Sequence, residues 1–180
     1  LASVPLAYDP GTRWNYGLSF DVLGVLIERV SGMKFPDFLR TRIFEPLAMK
    51  DTGFVLPKAK LGRLAKIYGY DTAGKRVPEP EDPADVMPTF ASGGGGLMST
   101  ADDYARFGRM LKDLGRLGDV RLLSHESVEL MTANWLTPEQ RKIPFFGLDF
   151  WGGQGFGLGM SVVDDVARQS AIAFASKGSF

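Results

Sequence analysis

The sequence predicts an α/β fold in which a helical cluster accompanies part of an antiparallel sheet. Apolar residues recur at helical spacing in residues 1–55 and 97–136. Residues 154–180 instead begin with glycines that alternate with apolar residues and continue in short apolar runs, as strands do. Residues 56–96 are rich in proline and glycine and predict extended segments and a glycine-rich turn. We expect these 180 residues to form a single partial domain that is incomplete within this chain.

The first predicted helix begins near Phe20 and ends at Gly32, where a left-handed C-cap favours glycine. It carries an apolar stripe that we expect to be buried, formed by Val22, Leu23, Leu26, Ile27 and Val30. A second, short helix is predicted to begin at Pro36, because proline suits a first helical position, and to end before Pro46.

The later helices and strands are predicted from the same kinds of start and stop residues. A short strand is predicted within residues 65–70, and Ser99 is the expected N-cap of a helix that ends at Gly115. The aromatic residues of that helix, Tyr104 and Phe107, are expected in the core. Another helix is predicted over residues 126–133 with Ser124 as N-cap. Strands over residues 156–164 and 166–175 are predicted to meet at a tight corner.

Composition excludes several kinds of function. Lys and Arg number 21 and so do Asp and Glu, so no net charge attracts nucleic acid. Cysteine is absent, which excludes disulfides and thiolate metal sites. No apolar run approaches the ~20 residues of a membrane span. We therefore expect no cofactor, metal, nucleic acid or membrane span, and the compartment, cytoplasm or periplasm, stays open.

Tyr16 is the candidate catalytic residue. It follows a Pro10-Gly11 corner and precedes the first helix, which places its hydroxyl where a cleft could use it. A phenol titrates near ~10 and needs a cationic neighbour to act as a base at neutral pH. Residue chemistry alone therefore leaves a structural tyrosine open.

Three stretches, residues 16–32, 43–54 and 94–107, closely resemble the serine beta-lactamase-like family. That family contains class C beta-lactamases, DD-peptidases and family VIII esterases. The resemblance implies acyl transfer through a covalent serine ester, with a Ser-x-x-Lys helix, a Tyr-x-Asn element and a closing strand. It identifies Tyr16 as the tyrosine that accepts the serine proton and passes it to the leaving group.

The resemblance also implies what this chain lacks. The nucleophile, the lysine and both oxyanion donors are expected in the remainder of the protein's own chain, so residues 1–180 alone are expected to hydrolyse nothing. Leu18, Gly95 and Gly96 are expected to line the substrate site.

The sequence departs from the family pattern at Leu18, where lactamases have the asparagine of Tyr-x-Asn. A plain ester does not require that amide, so the departure favours an esterase of small carboxylic esters. A beta-lactamase or DD-peptidase remains the alternative, and a catalytically inactive binding or scaffolding homologue is the alternative from another class.

Other residues imitate catalytic motifs. Ser31 fits Ser-x-x-Lys with Lys34, but it ends a helix, whereas the nucleophile belongs on a first turn. Trp151 begins a Trp-x-Gly pattern, yet the predicted strand entering the sheet follows it. His125 is expected to be exposed at a helix start. Glycines 93–96 lack the spacing and the lysine of a phosphate cradle.

Overall fold

A computed structural model describes residues 3–80, 84–144, 149–168 and 175–180. The α-helices of these residues are α1 (Ser19–Ser31), α2 (Phe35–Leu39), α3 (Ala101–Lys112), α4 (His125–Thr132) and α5 (Pro138–Arg141). The strands are β1 (Tyr68–Tyr70), β2 (Arg76–Pro78), β3 (Arg116–Leu117), β4 (Val120–Arg121), β5 (Gln154–Phe156) and β6 (Ser161–Val163). They pair sequentially as two-stranded sheets.

The chain divides into two compact units. The first contains Leu1–Tyr16, Leu111–Arg116 and Leu123–Phe180, and the second contains Gly17–Met110 and Leu117–Leu122. The single partial domain expected from the sequence stays a prediction. Among the described residues, none of the helices has the length and apolarity that a membrane crossing requires.

In the second unit, α1 has the predicted bounds. It runs from Ser19 to Ser31, and Gly32 caps it at φ 69° while its N–H donates to the Glu28 carbonyl. The unit's core is apolar and centres on the segment after α1. Its buried apolar side chains are Phe35, Phe44, Leu47, Met49, Phe54 and Met110.

The face that α1 buries is not the predicted one. Asp21 and Gly24 are buried, and Glu28 accepts a hydrogen bond from the Phe35 N–H at 2.8 Å. The predicted stripe is largely exposed among the described residues, with Val30 reaching 80% exposure. The reason is that the face with Asp21 and Gly24 packs closely. A Cβ at Gly24 would lie 3.5 Å from the Phe35 ring, so a small residue suits this position.

The short strand predicted within residues 65–70 is confirmed as β1, and it forms an antiparallel hairpin with β2. Tyr68 pairs with Pro78, Gly69 with Val77 and Tyr70 with Arg76. The sequence did not predict β2, because its proline-rich surroundings favour an irregular segment. A proline can end an edge strand, where its missing N–H has no ladder partner.

Two predictions for α3 are wrong. Its first turn is capped by Thr100, whose hydroxyl accepts the Asp103 N–H at 3.2 Å, whereas the Ser99 hydroxyl bonds the Thr52 hydroxyl at 2.8 Å. Tyr104 is 70% exposed and does not lie in the core. The first turn of α3 is fixed by the buried Asp103. Its carboxylate accepts hydrogen bonds from the Asp51 N–H and the Thr52 hydroxyl.

In the first unit, glycines allow strand β5 to dock against the end of α4. A Cβ at Gly155 would lie 2.0 Å from Asn134 Oδ1, and one at Gly157 would lie 1.9 Å from the Met131 carbonyl oxygen. Asn134 Oδ1 accepts the Phe156 N–H at 3.1 Å. The alternating glycines of the sequence therefore mark close backbone approach.

The single strand predicted over residues 156–164 is wrong, because those residues include the end of β5, a turn and β6. β5 and β6 pair antiparallel as a hairpin, with Gln154 opposite Val163. Val166–Arg168 form a 3₁₀ turn where a strand was predicted, and residues 169–174 of that prediction lie outside the described residues. Val163 nevertheless exchanges backbone hydrogen bonds with Gly178 and Ser179, so the chain end does pair with β6.

Asp51 provides a test of the second unit's stability. Hydrogen bonds from Lys60 and then Arg63 hold the pKa of the Asp51 carboxyl below its usual range. A lowered pKa stabilises the fold above the unfolded-state value, near ~3.9, and this contribution is lost as pH falls through the folded-state pKa. We expect Asp51→Asn to reduce the free energy of unfolding of the full-length protein at pH 7 and to make little difference near pH 2.

Denaturant unfolding at both pH values measures this effect. Glu139→Gln is the control, because Glu139 and its partner Lys142 are both exposed and such pairs contribute little. An equal loss for Asp51→Asn at both pH values would contradict the electrostatic explanation.

Candidate functional site

The turn before Tyr16 is built by local hydrogen bonds in the first unit. The Thr12 N–H and hydroxyl both donate to the Asp9 carbonyl, at 3.2 and 2.7 Å, and Gly11 adopts φ +81°. The Asn15 side-chain amide donates to the Tyr16 carbonyl at 3.1 Å. The Tyr16 side chain is 66% exposed, so its ring does not lie in a core.

An aromatic cluster packs against this turn. The Trp14 ring meets the Trp151 ring edge-on at 4.9 Å between centroids and the Phe156 ring at 5.1 Å. Trp151 is only 4% exposed, and the Tyr16 ring lies 6.3 Å from that of Trp14. Edge-to-face pairs add about 0.5–1.5 kcal/mol each beyond their buried area. Trp151 therefore packs as a core residue of this unit.

A cleft of about 250 Å³ opens beside Tyr16. Its lining includes the two tryptophans, and the Arg13 guanidinium lies over the Tyr8 ring at 4.5 Å from the centroid. The residues that line the cleft are Tyr8, Arg13, Trp14, Asn15, Tyr16, Ile143, Pro144 and Trp151.

The other predicted site residues belong to the second unit. Leu18 is the residue before α1; its carbonyl accepts the Val22 N–H at 3.1 Å and its side chain is 57% exposed. The first turn of α1 holds the glycine-rich segment: the Ser92 hydroxyl donates to the buried Asp21 carboxylate at 2.5 Å, and the Gly94 N–H donates to Ser92 Oγ at 3.1 Å.

Glycine is required where this segment touches α1. A Cβ at Gly93 would lie 2.0 Å from the Phe20 carbonyl oxygen, which no side chain can tolerate. Gly95 has open space around it, and Gly96 adopts φ +84° with Phe54 3.7 Å from its would-be Cβ. The segment therefore lies against the turn that Leu18 begins, with Gly95 free on its outer side.

The structure thus places Leu18, Gly95 and Gly96 in one unit and Tyr16 in the other. The supporting residues Trp14, Asp21 and Ser92 were not identified from the sequence. Trp14 stands two positions from Tyr16, and that spacing was the available signal. Nothing in the linear pattern connects Asp21 with Ser92, which lie 71 positions apart.

Of the residues set aside earlier, Ser31 and His125 lie outside the cleft lining, whereas Trp151 is part of it. Ser31 is the last residue of α1 and its hydroxyl donates to the Ile27 carbonyl at 2.6 Å. His125 is exposed and contacts Glu129 at 3.4 Å, and Ser124 caps α4 as predicted. Within the described ranges, no three histidine or carboxylate side chains gather as metal ligands would.

A larger cavity of about 370 Å³ lies within the second unit, between α1, the start of α2 and residues 87–91. Its lining includes the Phe35 and Phe90 rings and the Glu28 carboxylate, which already accepts the Phe35 N–H. No tyrosine lines it. The smaller cleft beside Tyr16 is therefore the candidate active-site region.

Comparisons with known proteins identify the family of this chain. The family model described as Beta-lactamase matches residues 1–176. Protein Rv1367c of Mycobacterium tuberculosis is 43% identical over 169 residues, which are 93% of this chain and 42% of that protein. Lovastatin esterase of Penicillium rubens is 31% identical over 179 residues, covering 90% of this chain and 44% of the esterase.

A solved structure also resembles the chain. EstCE1, described as a hydrolase with promiscuous acyltransferase activity, superposes with a TM-score of 0.77 at 26% identity. The similarity covers 98% of this chain and 47% of EstCE1. The chain therefore spans less than half the length of each of these three proteins.

The glycine-rich segment yields a matched pair of variants. Gly93→Ala forces a methyl group onto the Phe20 carbonyl, and overpacking of this kind costs about 1–3 kcal/mol. Gly95→Ala meets open space, so we expect its effect to stay within about 0.5 kcal/mol. Denaturant unfolding of the full-length protein measures both, and equal losses would show that Gly93 does not touch α1.

Proposed function

Because this chain belongs to the beta-lactamase family, we propose that the full-length protein is a serine hydrolase of small carboxylic esters. It works through an acyl-serine intermediate, and Tyr16 carries the proton. The observation that carries the proposal is the exposed Tyr16 side chain in a cleft that the buried Trp151 ring also lines. The esterase and hydrolase among the similar proteins support the same reaction class.

In the proposed reaction, Tyr16 carries the proton in both directions. The serine oxygen attacks the ester carbonyl carbon while its proton passes to the Tyr16 phenolate oxygen. The tetrahedral intermediate then collapses, the C–O bond to the alcohol breaks, and Tyr16 returns the proton to the leaving alkoxide. Water repeats the cycle on the acyl-serine and releases the carboxylic acid. The serine and its lysine are proposed to come from the rest of the full-length protein.

Rigid support for Tyr16 is consistent with this role. A general base must stay within hydrogen-bonding distance of the proton that it moves. The Asp9–Thr12 turn and the Trp14–Trp151 contact both restrict the backbone just before Tyr16. The Tyr16 side chain is therefore exposed on a backbone that local contacts hold.

Leu18 carries the preference for esters. It occupies the third position of the Tyr-x-Asn element, and its side chain is an exposed apolar group. A lactam substrate that loses water from its amide there has no hydrogen-bonding partner in return, whereas a simple ester loses nothing. Gly95 and Gly96 are proposed to line the substrate through their backbone.

Replacing Tyr16 by Phe keeps the ring and removes the proton carrier. We expect turnover of p-nitrophenyl acetate by the full-length protein to fall about 100- to 10,000-fold, because general acid–base catalysis contributes that much. Tyr104→Phe is the control, since Tyr104 is equally exposed on α3. Full activity of the Tyr16→Phe protein would show that another group moves the proton, and absence of any turnover in the wild type would support the inactive binding homologue.

Position 18 tests the substrate class. We expect the wild-type kcat/KM to be far higher for a short p-nitrophenyl ester than for nitrocefin, and Leu18→Asn to raise nitrocefin turnover by roughly tenfold, the scale of one hydrogen bond. Leu18→Ala removes the apolar leucine group without adding an amide and should not raise it. Comparable wild-type values for the two substrates would instead favour a beta-lactamase.

A further inference from the structure

We propose that Arg13 binds a carboxylate of the substrate, so that the preferred esters carry a second, free acid group. This inference rests on the proposed ester hydrolysis and names its substrate class. The observation behind it is that Arg13 and Tyr16 line the same cleft of about 250 Å³. A group bound by Arg13 would therefore share that cleft with the residue proposed to move the proton.

The Arg13 guanidinium is held in place by an aromatic face. Its central carbon lies 4.5 Å from the centroid of the Tyr8 ring. A cation over a ring face is attracted by the ring quadrupole. A guanidinium carries five N–H donors, more than one ring contact can occupy, so donors of Arg13 remain able to bind a ligand.

These donors have no acid to bind among the described residues. The ion pairs of the described chain involve other arginines and lysines, and none of the residues that line the cleft is an Asp or Glu. Arg13 is also the only Lys or Arg among the described lining residues. The cleft thus presents one positive charge that its own lining does not neutralise.

The geometry favours a carboxylate over a phosphate. One guanidinium offers two parallel N–H groups and one charge, which match the two oxygens and single charge of a carboxylate. A phosphate dianion brings more charge and three oxygens, and the lining offers no second cation. The indole rings of Trp14 and Trp151 also line the cleft, and apolar surroundings strengthen such a pairing.

Two esters of the same length test the proposal with the full-length protein. Mono-p-nitrophenyl adipate carries a free carboxylate, and its methyl-capped twin does not; the uncatalysed rate of each is subtracted. We expect the wild type to prefer the acid, and Arg13→Gln to lower its kcat/KM about tenfold, mainly through KM, while the neutral ester changes less than twofold. Arg13→Lys keeps the charge without the paired donors and should fall between them.

Arg42→Gln is the control, because Arg42 is an exposed arginine of the other unit. Thermal unfolding of each variant establishes that it is folded. Equal losses for both esters in Arg13→Gln, or a wild type that prefers the neutral ester, would overturn the proposal.

A binding measurement separates this inference from the proposed reaction. Trp14 and Trp151 line the cleft, so intrinsic fluorescence can follow titration with monomethyl adipate and with dimethyl adipate. We expect only the monoacid to bind in the wild type, and Arg13→Gln to weaken its binding about tenfold. Arg13-dependent binding without turnover of any ester would reject the hydrolase and retain the carboxylate site. Ester turnover with no Arg13-dependent binding would reject the site and retain the hydrolase.

Discussion

The second unit depends on one close approach, between the first turn of α1 and the glycine-rich segment. Gly93 lies against the Phe20 carbonyl with no room for a Cβ, and the Ser92 hydroxyl donates to the buried Asp21 carboxylate. A buried carboxylate without a partner is costly, so the hydrogen bond and the glycine act together. Leu18 begins the same turn, and the position of a proposed substrate-lining residue therefore follows from this contact.

In the first unit, a tyrosine side chain is exposed on a turn that packs against an aromatic cluster. Trp14 and Trp151 pack edge-to-face, and Trp151 is buried while Tyr16 is exposed. Trp14 packs into the aromatic cluster, whereas the Tyr16 side chain is exposed and lines the cleft. The same turn carries Arg13, so one short segment presents the proposed proton carrier and a cation together.

The helix that follows Tyr16 shows where sequence patterns mislead. Its bounds were predicted correctly from the apolar run and Gly32, because capping is a local property. Its buried face was not, since hydrophobic periodicity assigns burial to Val22, Leu26 and Val30, whereas Asp21 and Gly24 are buried. Hydrophobic periodicity does not predict a helix face that is buried because its residues are small or hydrogen-bonded. Thr100 replaced Ser99 as the cap of α3 for a related reason, because Ser99 is bonded to Thr52 across the unit.

By itself the sequence determined the family, the α/β class, the ends of α1 and the candidate Tyr16, because these rest on local turn chemistry and on motifs read in order along the chain. Only the tertiary structure decided which side chains meet. The pairing of Asp21 with Ser92, of Trp14 with Trp151, and of Gly155 with Asn134 joins residues far apart in the sequence. Such contacts depend on how elements pack in three dimensions, which no linear spacing records.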